Sequence, residues 1–193
     1  MKLNLKNTRI IAVLGIFLLS FFSHFAYELL PNPLFSFIFP VNESIWEHMK
    51  ILVTSSLLYG IIDYIILKKN NISYNNYPFN LWFTSIIIVP IYLAIYLPIY
   101  NIIGESLIVS ILLLLIVYII KEIISYNILK APYIKGVNKL AIPAIIIMYI
   151  IFIYLTYNPP HNYIFIDSIT STYGIKKYIL NWIYIFKYFL TAW

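Results

Sequence analysis

The sequence contains no cysteine, which excludes disulfides, thiolate nucleophiles and cysteine-ligated metals. Any metal bound here has to use imidazole, carboxylate, carbonyl or water as ligands. Charge is also scarce: 10% of the 193 residues are charged, against 62% that are hydrophobic. A soluble domain of that composition lacks the polar groups to cover its surface, so lipid is the solvent this chain is built for. Glycine is limited to 5 residues, and no Gly-rich phosphate loop occurs, so nucleotide chemistry is not expected. No internal repeat of the transporter kind is visible. The heavy use of isoleucine, tyrosine and asparagine fits an AT-rich coding sequence and carries no functional weight.

What the chain has in abundance is apolar runs of spanning length. A membrane helix needs roughly 20 mainly apolar residues, because the hydrocarbon core is about 30 Å thick and the rise about 1.5 Å per residue. Residues 8–30, 43–67, 79–100, 105–129 and 137–157 meet that requirement. The expected fold is therefore all-α, a single integral membrane domain over 1–193 with five spans. The aromatic tail 176–193 is short and interrupted by Lys187, so it reads as an interfacial helix or, alternatively, a sixth span. Residues 1–20 have the basic start of a signal peptide, but the apolar run continues to Leu30 without a small-residue cleavage site, which favours a retained first helix.

The net charge of +6 would suggest nucleic acid in a soluble protein. Here the basic residues sit in short connections instead: Lys2, Lys6 and Arg9 before the first span, Lys68 and Lys69 after the second, and Lys121, Lys130, Lys135 and Lys139 around the fourth connection. By the positive-inside rule those ends are cytoplasmic and the N-terminus lies inside. The expected location is the bacterial cytoplasmic membrane, multi-pass, with membrane lipid as the partner and no nucleic acid or nucleotide. Asp63 near Lys68 and Glu122 beside Lys121 read as ordinary ion pairs on the inner half.

With that orientation, all three histidines fall on the outward half. His24 lies about 9 Å below the end of the first span and His48 about 7.5 Å below the start of the second, at the standard helical rise. His161 follows Pro159 and Pro160 in the loop after the fifth span. Glu28, Glu43, Glu47 and Asp167, four of the seven acids, gather at the same end. Ionisable groups at membrane depth are costly and mark partners or water-filled cavities. Imidazole and carboxylate are zinc ligands, and a catalytic zinc keeps three protein ligands and a water. His24, His48 and His161 are the expected triad, with Asp167 as a replacement ligand or an orienting partner and Glu47 or Glu28 as the base that activates the water.

Plainer roles compete with these. Ser44 to Glu47 matches a capping box that starts the second span, and Glu43 suits the positive end of the helix dipole, the role favoured for it here. Asn42, Glu43 and Ser44 complete the polar cluster around the helix start. His24 alone would serve as an interhelical hydrogen bond, and His161 as a solvated loop residue.

The string Phe39-Pro40-Val41-Asn42-Glu43-Ser44-Ile45-Trp46-Glu47-His48, with His24 and Tyr27-Glu28 upstream and Pro159-Pro160-His161, Phe165, Asp167 and Tyr173-Gly174 downstream, resembles an uncharacterised bacterial family of polytopic membrane proteins, a domain of unknown function. The resemblance implies a small polytopic membrane protein and brings no activity with it. A looser similarity is to the alkaline ceramidase and adiponectin receptor type of membrane hydrolase, where His and acid residues gather zinc at one membrane face. This chain has fewer helices and lacks their paired C-terminal histidines. The functional expectation is a zinc-dependent intramembrane hydrolase of an amide or ester bond in a lipid or membrane-embedded substrate, with its site at the outer face. The alternative is a small ion or solute carrier, or an accessory membrane subunit, that uses the same His/Glu cluster.

Overall fold

A computed structural model describes residues 3–175 of the chain; the tail 176–193, expected as an interfacial helix or sixth span, lies outside the described residues. The helices are α1 (Leu5–Leu29), α2 (Pro33–Ile38), α3 (Ile45–Lys69), α4 (Tyr77–Ile103), α5 (Leu107–Lys130) and α6 (Lys135–Tyr157). All but α2 are long and apolar enough to cross a membrane, and they coincide with the five expected spans to within a few residues. The fold is all-helical; the described residues contain no named strand, only one antiparallel bridge between Ile166 and Tyr173. Pro90 and Pro98 lie inside α4 and Pro143 inside α6 without ending either helix, as membrane helices tolerate.

The polarity of the surface is that of a protein solvated by lipid. Large aliphatic side chains such as Leu18, Ile108, Ile142 and Ile150 point outward, while Ser55, Ser56, Thr84, Ser85 and Ser125 are buried. Small hydroxyl residues inside let helices approach and return their protons to the backbone: Ser56 donates to the Leu52 carbonyl at 2.8 Å and Thr84 to the Asn80 carbonyl at 2.7 Å.

The described residues form two compact units, 3–22 with 52–147, and 23–51 with 148–175. In the first unit α4 packs along α5, and α1 meets α3 at Gly15, where an added Cβ would sit 2.1 Å from the Tyr59 ring. Four charged side chains are buried together. Arg9 donates to Asp63, to Glu122 at 3.2 Å and to Ser125 Oγ at 3.1 Å, and Lys121 Nζ donates to the other Glu122 oxygen at 2.6 Å. The Tyr77 hydroxyl, 2.6 Å from the Gly60 carbonyl, also lies 3.1 Å from Asp63 Oδ2. The Lys121–Glu122 pair is the expected one. Asp63, however, takes Arg9 rather than Lys68, because Arg9 reaches inward from α1 while the Lys68 ammonium sits over the Tyr64 ring at 4.8 Å.

A second polar knot joins the α3–α4 and α5–α6 connections. Asn76 adopts a left-handed backbone (φ 51°), a conformation asparagine tolerates better than most residues. Its Oδ1 accepts from Ile134 N at 2.8 Å and Asn138 Nδ2 at 2.9 Å, and its Nδ2 donates to the Pro132 carbonyl at 2.9 Å. Asn138 Oδ1 in turn accepts from Phe79 N at 3.2 Å. Asn76 thus secures the entry to α6 and Asn138 the start of α4, with the two side chains bonded to each other.

Two predictions follow from burial without solvent. Arg9→Met leaves the buried Asp63 carboxylate without a cation and Glu122 with Lys121 alone, and lowers stability by roughly 3–5 kcal/mol; adding Asp63→Leu recovers part of that loss, and unfolding in mixed micelles measures both. Asn76→Ala removes the hydrogen bonds to Ile134, Asn138 and Pro132 and strains the backbone, at a cost of roughly 2–4 kcal/mol, whereas Asn76→Gly relieves only the backbone part.

Candidate metal centre

In the second unit the chain leaves α1 at Leu29, turns through α2 and enters α3, and α2 was not foreseen from hydropathy. It exists because Asn32 caps it, accepting from Phe35 N at 3.0 Å, and Pro33 occupies its first turn, the position where the missing N–H costs nothing. The segment after α2 is then fixed from several sides. Asn42 Oδ1 accepts from Ser44 N, and its Nδ2 donates to the Gly174 carbonyl, both at 2.9 Å. Ser44 Oγ accepts from Glu47 N at 3.2 Å, which is one arm of the expected capping box. The return arm is different: Glu47 reaches Val41 N, at 3.1 Å, because Asn42 already serves Ser44 N.

Glu47, expected as a candidate base, is 2% exposed and fully engaged. Beyond Val41 N, it pairs with Lys50 at 2.8 Å and accepts from Thr156 Oγ1 at 2.7 Å. Lys50, 0% exposed, donates onward to the Ser36 carbonyl at 2.9 Å. The Trp46 ring stacks on Phe165 and meets Phe152 edge-on, while its backbone N–H donates to the Ile164 carbonyl at 2.9 Å. These contacts hold residues 40–48 as a rigid arch between α2, α6 and the loop 158–175.

Glu43 sits on that arch. Its Oε2 lies 3.3 Å from His48 Nε2 and 4.0 Å from His24 Nε2, and one ligand atom from each of the three lies within 4.8 Å of the others. The His24 and His48 rings are 5.3 Å apart. Ligand atoms about 2.0–2.1 Å from a tetrahedral ion are about 3.3 Å apart, so the Glu43–His48 separation already has the value a shared ion requires. His48 Nδ1 lies 2.9 Å from the Ser44 carbonyl, which can only accept. Nδ1 therefore carries a proton, and a neutral His48 turns the Nε2 lone pair toward Glu43. This is how metal-ligating imidazoles are oriented by an outer partner.

A lone pair facing a carboxylate at that distance is repulsive until a cation intervenes. A proton on Nε2 is one solution: the resulting hydrogen bond from His48 holds the Glu43 carboxyl below its ordinary range, against burial and the charge of Asp167, which push it up. A metal ion is the other. Among the described residues no lysine or arginine pairs with Glu43, and His24 Nδ1 is buried with no hydrogen-bond partner. All three side chains are partly exposed, at 28–36%, so an ion here would keep an open face. Two imidazoles and a carboxylate could hold zinc, as in catalytic His2Glu sites, or iron, as in two-His-one-carboxylate sites.

The remaining expected site residues lie elsewhere or at the edge. His161 does not join the group; its ring stacks on Tyr173 with centroids 4.4 Å apart. Asp167 is buried, its Oδ1 accepting from Ile169 N at 2.9 Å and Thr170 N at 3.1 Å. It closes the loop turn and acts on Glu43 by charge. Glu28 is exposed one turn beyond His24 on α1. Glu43, assigned to the helix dipole on sequence grounds, is the third member of the cluster. Because it precedes the helix, periodicity gives no signal for its direction.

No curated protein and no solved structure matches the chain significantly. A family model does match, over residues 2–175, and with that coverage the chain belongs to a family of unknown function, DUF6512.

Proposed function

We propose that this protein is a zinc-dependent membrane hydrolase in which His24, His48 and Glu43 hold the ion and water takes its fourth position. The observation that carries the reading is the convergence of three ligand atoms from α1, the arch and α3 within 4.8 Å, with the His48 tautomer set by the Ser44 carbonyl. Bound zinc would supply a water of pKa about 7 and polarise a carbonyl. Glu28, whose charge reaches His24, is the candidate to take the water's proton, since Glu47 is committed to Lys50, Thr156 and Val41. Phe25, beside His24, is exposed apolar surface at the cluster, and Leu29, Leu30 and Leu34 at the end of α1 and on α2 are exposed too. That surface suits an amide or ester of a lipid or membrane-embedded substrate arriving from the hydrocarbon. By the positive-inside rule the cluster faces outward and the N-terminus inward.

The alternative, an ion or solute carrier, draws support from the buried Arg9–Asp63–Glu122–Lys121 group at membrane-spanning positions. In that group every charge is balanced, which suits a structural brace better than a pathway. Proton-coupled uptake into vesicles that Asp63→Asn abolishes would favour the carrier over the hydrolase.

Protein purified without chelator is expected to hold about one zinc per chain by elemental analysis. His48→Ala and Glu43→Gln should lose more affinity than the roughly 10–100-fold that removal of an outer partner costs, while His161→Ala keeps the metal. Metal-free, folded wild-type protein would sink the reading, and stoichiometric iron instead of zinc would replace hydrolysis with redox chemistry. Glu28→Gln should retain zinc and lose about 10²–10⁴-fold in turnover of a lipid amide or ester.

Zinc binding should also weaken in acid through the imidazoles, whose ordinary pKa is about 6.5. Glu43, held low by His48, stays ionised over that window. A decline in zinc affinity centred in the ordinary carboxylate range, with none near the imidazole range, would contradict this assignment.

A further inference from the structure

At the lysine-bearing end of the first unit, two hollows share part of their lining. One, of about 480 Å³, is lined by Asn4, Lys6, Ser73, Tyr126 and Lys130 among others. The second, of about 370 Å³, lies along α1 and α5 between Ile10, Val13, Ile119 and Ile123, and shares Lys6 and Tyr126 with the first. Both are of ligand-binding size. Their chemistry differs: the first carries Lys6, Lys130 and several polar side chains among apolar ones, and the second is an aliphatic groove whose Ile10, Ile119 and Ile123 are exposed.

The charges in the two hollows are not equivalent. Arg9 and Glu122, which line the groove, are committed to each other and to Asp63 and Lys121. Neither Lys6 nor Lys130 pairs with a carboxylate among the described residues, and the Lys130 ammonium rests 3.3 Å from the Tyr126 hydroxyl and over its ring at 5.0 Å. The polar hollow therefore presents two uncompensated positive charges, with the Ser73 hydroxyl on its wall. Basic pockets beside membrane helices recognise anionic lipid headgroups, and a two-part hollow of this kind matches one amphipathic molecule.

We infer that the first unit binds an anionic phospholipid, its phosphate between Lys6 and Lys130 and an acyl chain along Ile10, Val13, Ile119 and Ile123. The phosphate accepts hydrogen bonds from both ammonium groups, and the chain covers aliphatic surface that α1 and α5 leave open. The inference does not depend on the metal centre, since none of its residues belongs to that cluster.

The test uses the full chain in detergent, offered phosphatidylglycerol and phosphatidylcholine of identical acyl chains in equal amounts, with bound lipid counted by native mass spectrometry. Both lipids carry the phosphate, but the choline cation cancels its charge and is repelled by the two lysines, so wild-type protein should retain phosphatidylglycerol about thirtyfold over phosphatidylcholine. Lys6→Gln with Lys130→Gln, both at exposed positions, should bring that ratio close to parity and leave metal content unchanged. Equal retention of the two lipids by the wild type, or a preference untouched by the double substitution, overturns the inference. Displacement of the lipid by glycerol 3-phosphate at equal concentration also overturns it, because the site would then recognise a soluble phosphate ester.

Discussion

The Glu47–Lys50 ion pair is the contact on which the candidate centre depends. Both side chains are almost wholly removed from solvent, and such a pair is tolerable only when its remaining hydrogen-bonding capacity is met. Here Lys50 spends it on the Ser36 carbonyl of α2, and Glu47 on Thr156 of α6 and the backbone of Val41. Each of those partners is a different segment, so one buried pair locks α2, α3, α6 and the arch into a single geometry. Glu43 is carried on that arch, two residues before α3 begins at Ile45. Its position relative to His24 and His48 is inherited from a carboxylate four residues away that is bonded to Lys50, Thr156 and Val41.

Much of the architecture was legible because hydropathy reports it directly. The spans 8–30, 43–67, 79–100, 105–129 and 137–157 fall on α1, α3, α4, α5 and α6: a run of some twenty apolar residues has few other soluble or membrane fates. The short α2 escaped because its six residues form a helix through capping and tertiary contact rather than through periodicity. The pairing of Asp63 with Arg9 was hidden for a related reason. Sequence proximity to Lys68 is a local signal, whereas the Arg9 contact spans 54 residues. The asparagines were set aside as compositional bias, yet Asn76 and Asn138 hold two connections together. Bias in a genome supplies the residue; the fold still decides which copies matter.

At the centre, depth along the helices brought His24 and His48 together correctly, since the rise per residue is fixed and their rings do approach. The third member was not legible. His161 is chemically the more natural partner for two imidazoles, but its loop turns it onto Tyr173. Glu43 and Glu47 look interchangeable in the string Glu43-Ser44-Ile45-Trp46-Glu47. Their environments separate them: Glu47 faces Lys50 and closes on it, whereas Glu43 faces two imidazoles that carry no obligatory charge.

That contrast extends across the molecule and bears on where a ligand belongs. The buried Arg9, Asp63, Lys121 and Glu122 comprise two cations and two anions, each with a partner within hydrogen-bonding distance. A closed, neutral group gains nothing from an added ion and pays heavily to be opened. The His24–Glu43–His48 group is the opposite case. With neutral imidazoles it carries a net negative charge, a lone pair aimed at a carboxylate, and an open face. Its electrostatics are complete only when a positive charge sits among the three side chains, and the 3.3 Å and 4.0 Å separations leave room for an ion of zinc's size. In a chain with so few charges, a carboxylate facing two imidazoles at these separations is an arrangement that a cation, a proton or a metal ion, would stabilise, and the arch is what holds Glu43 there.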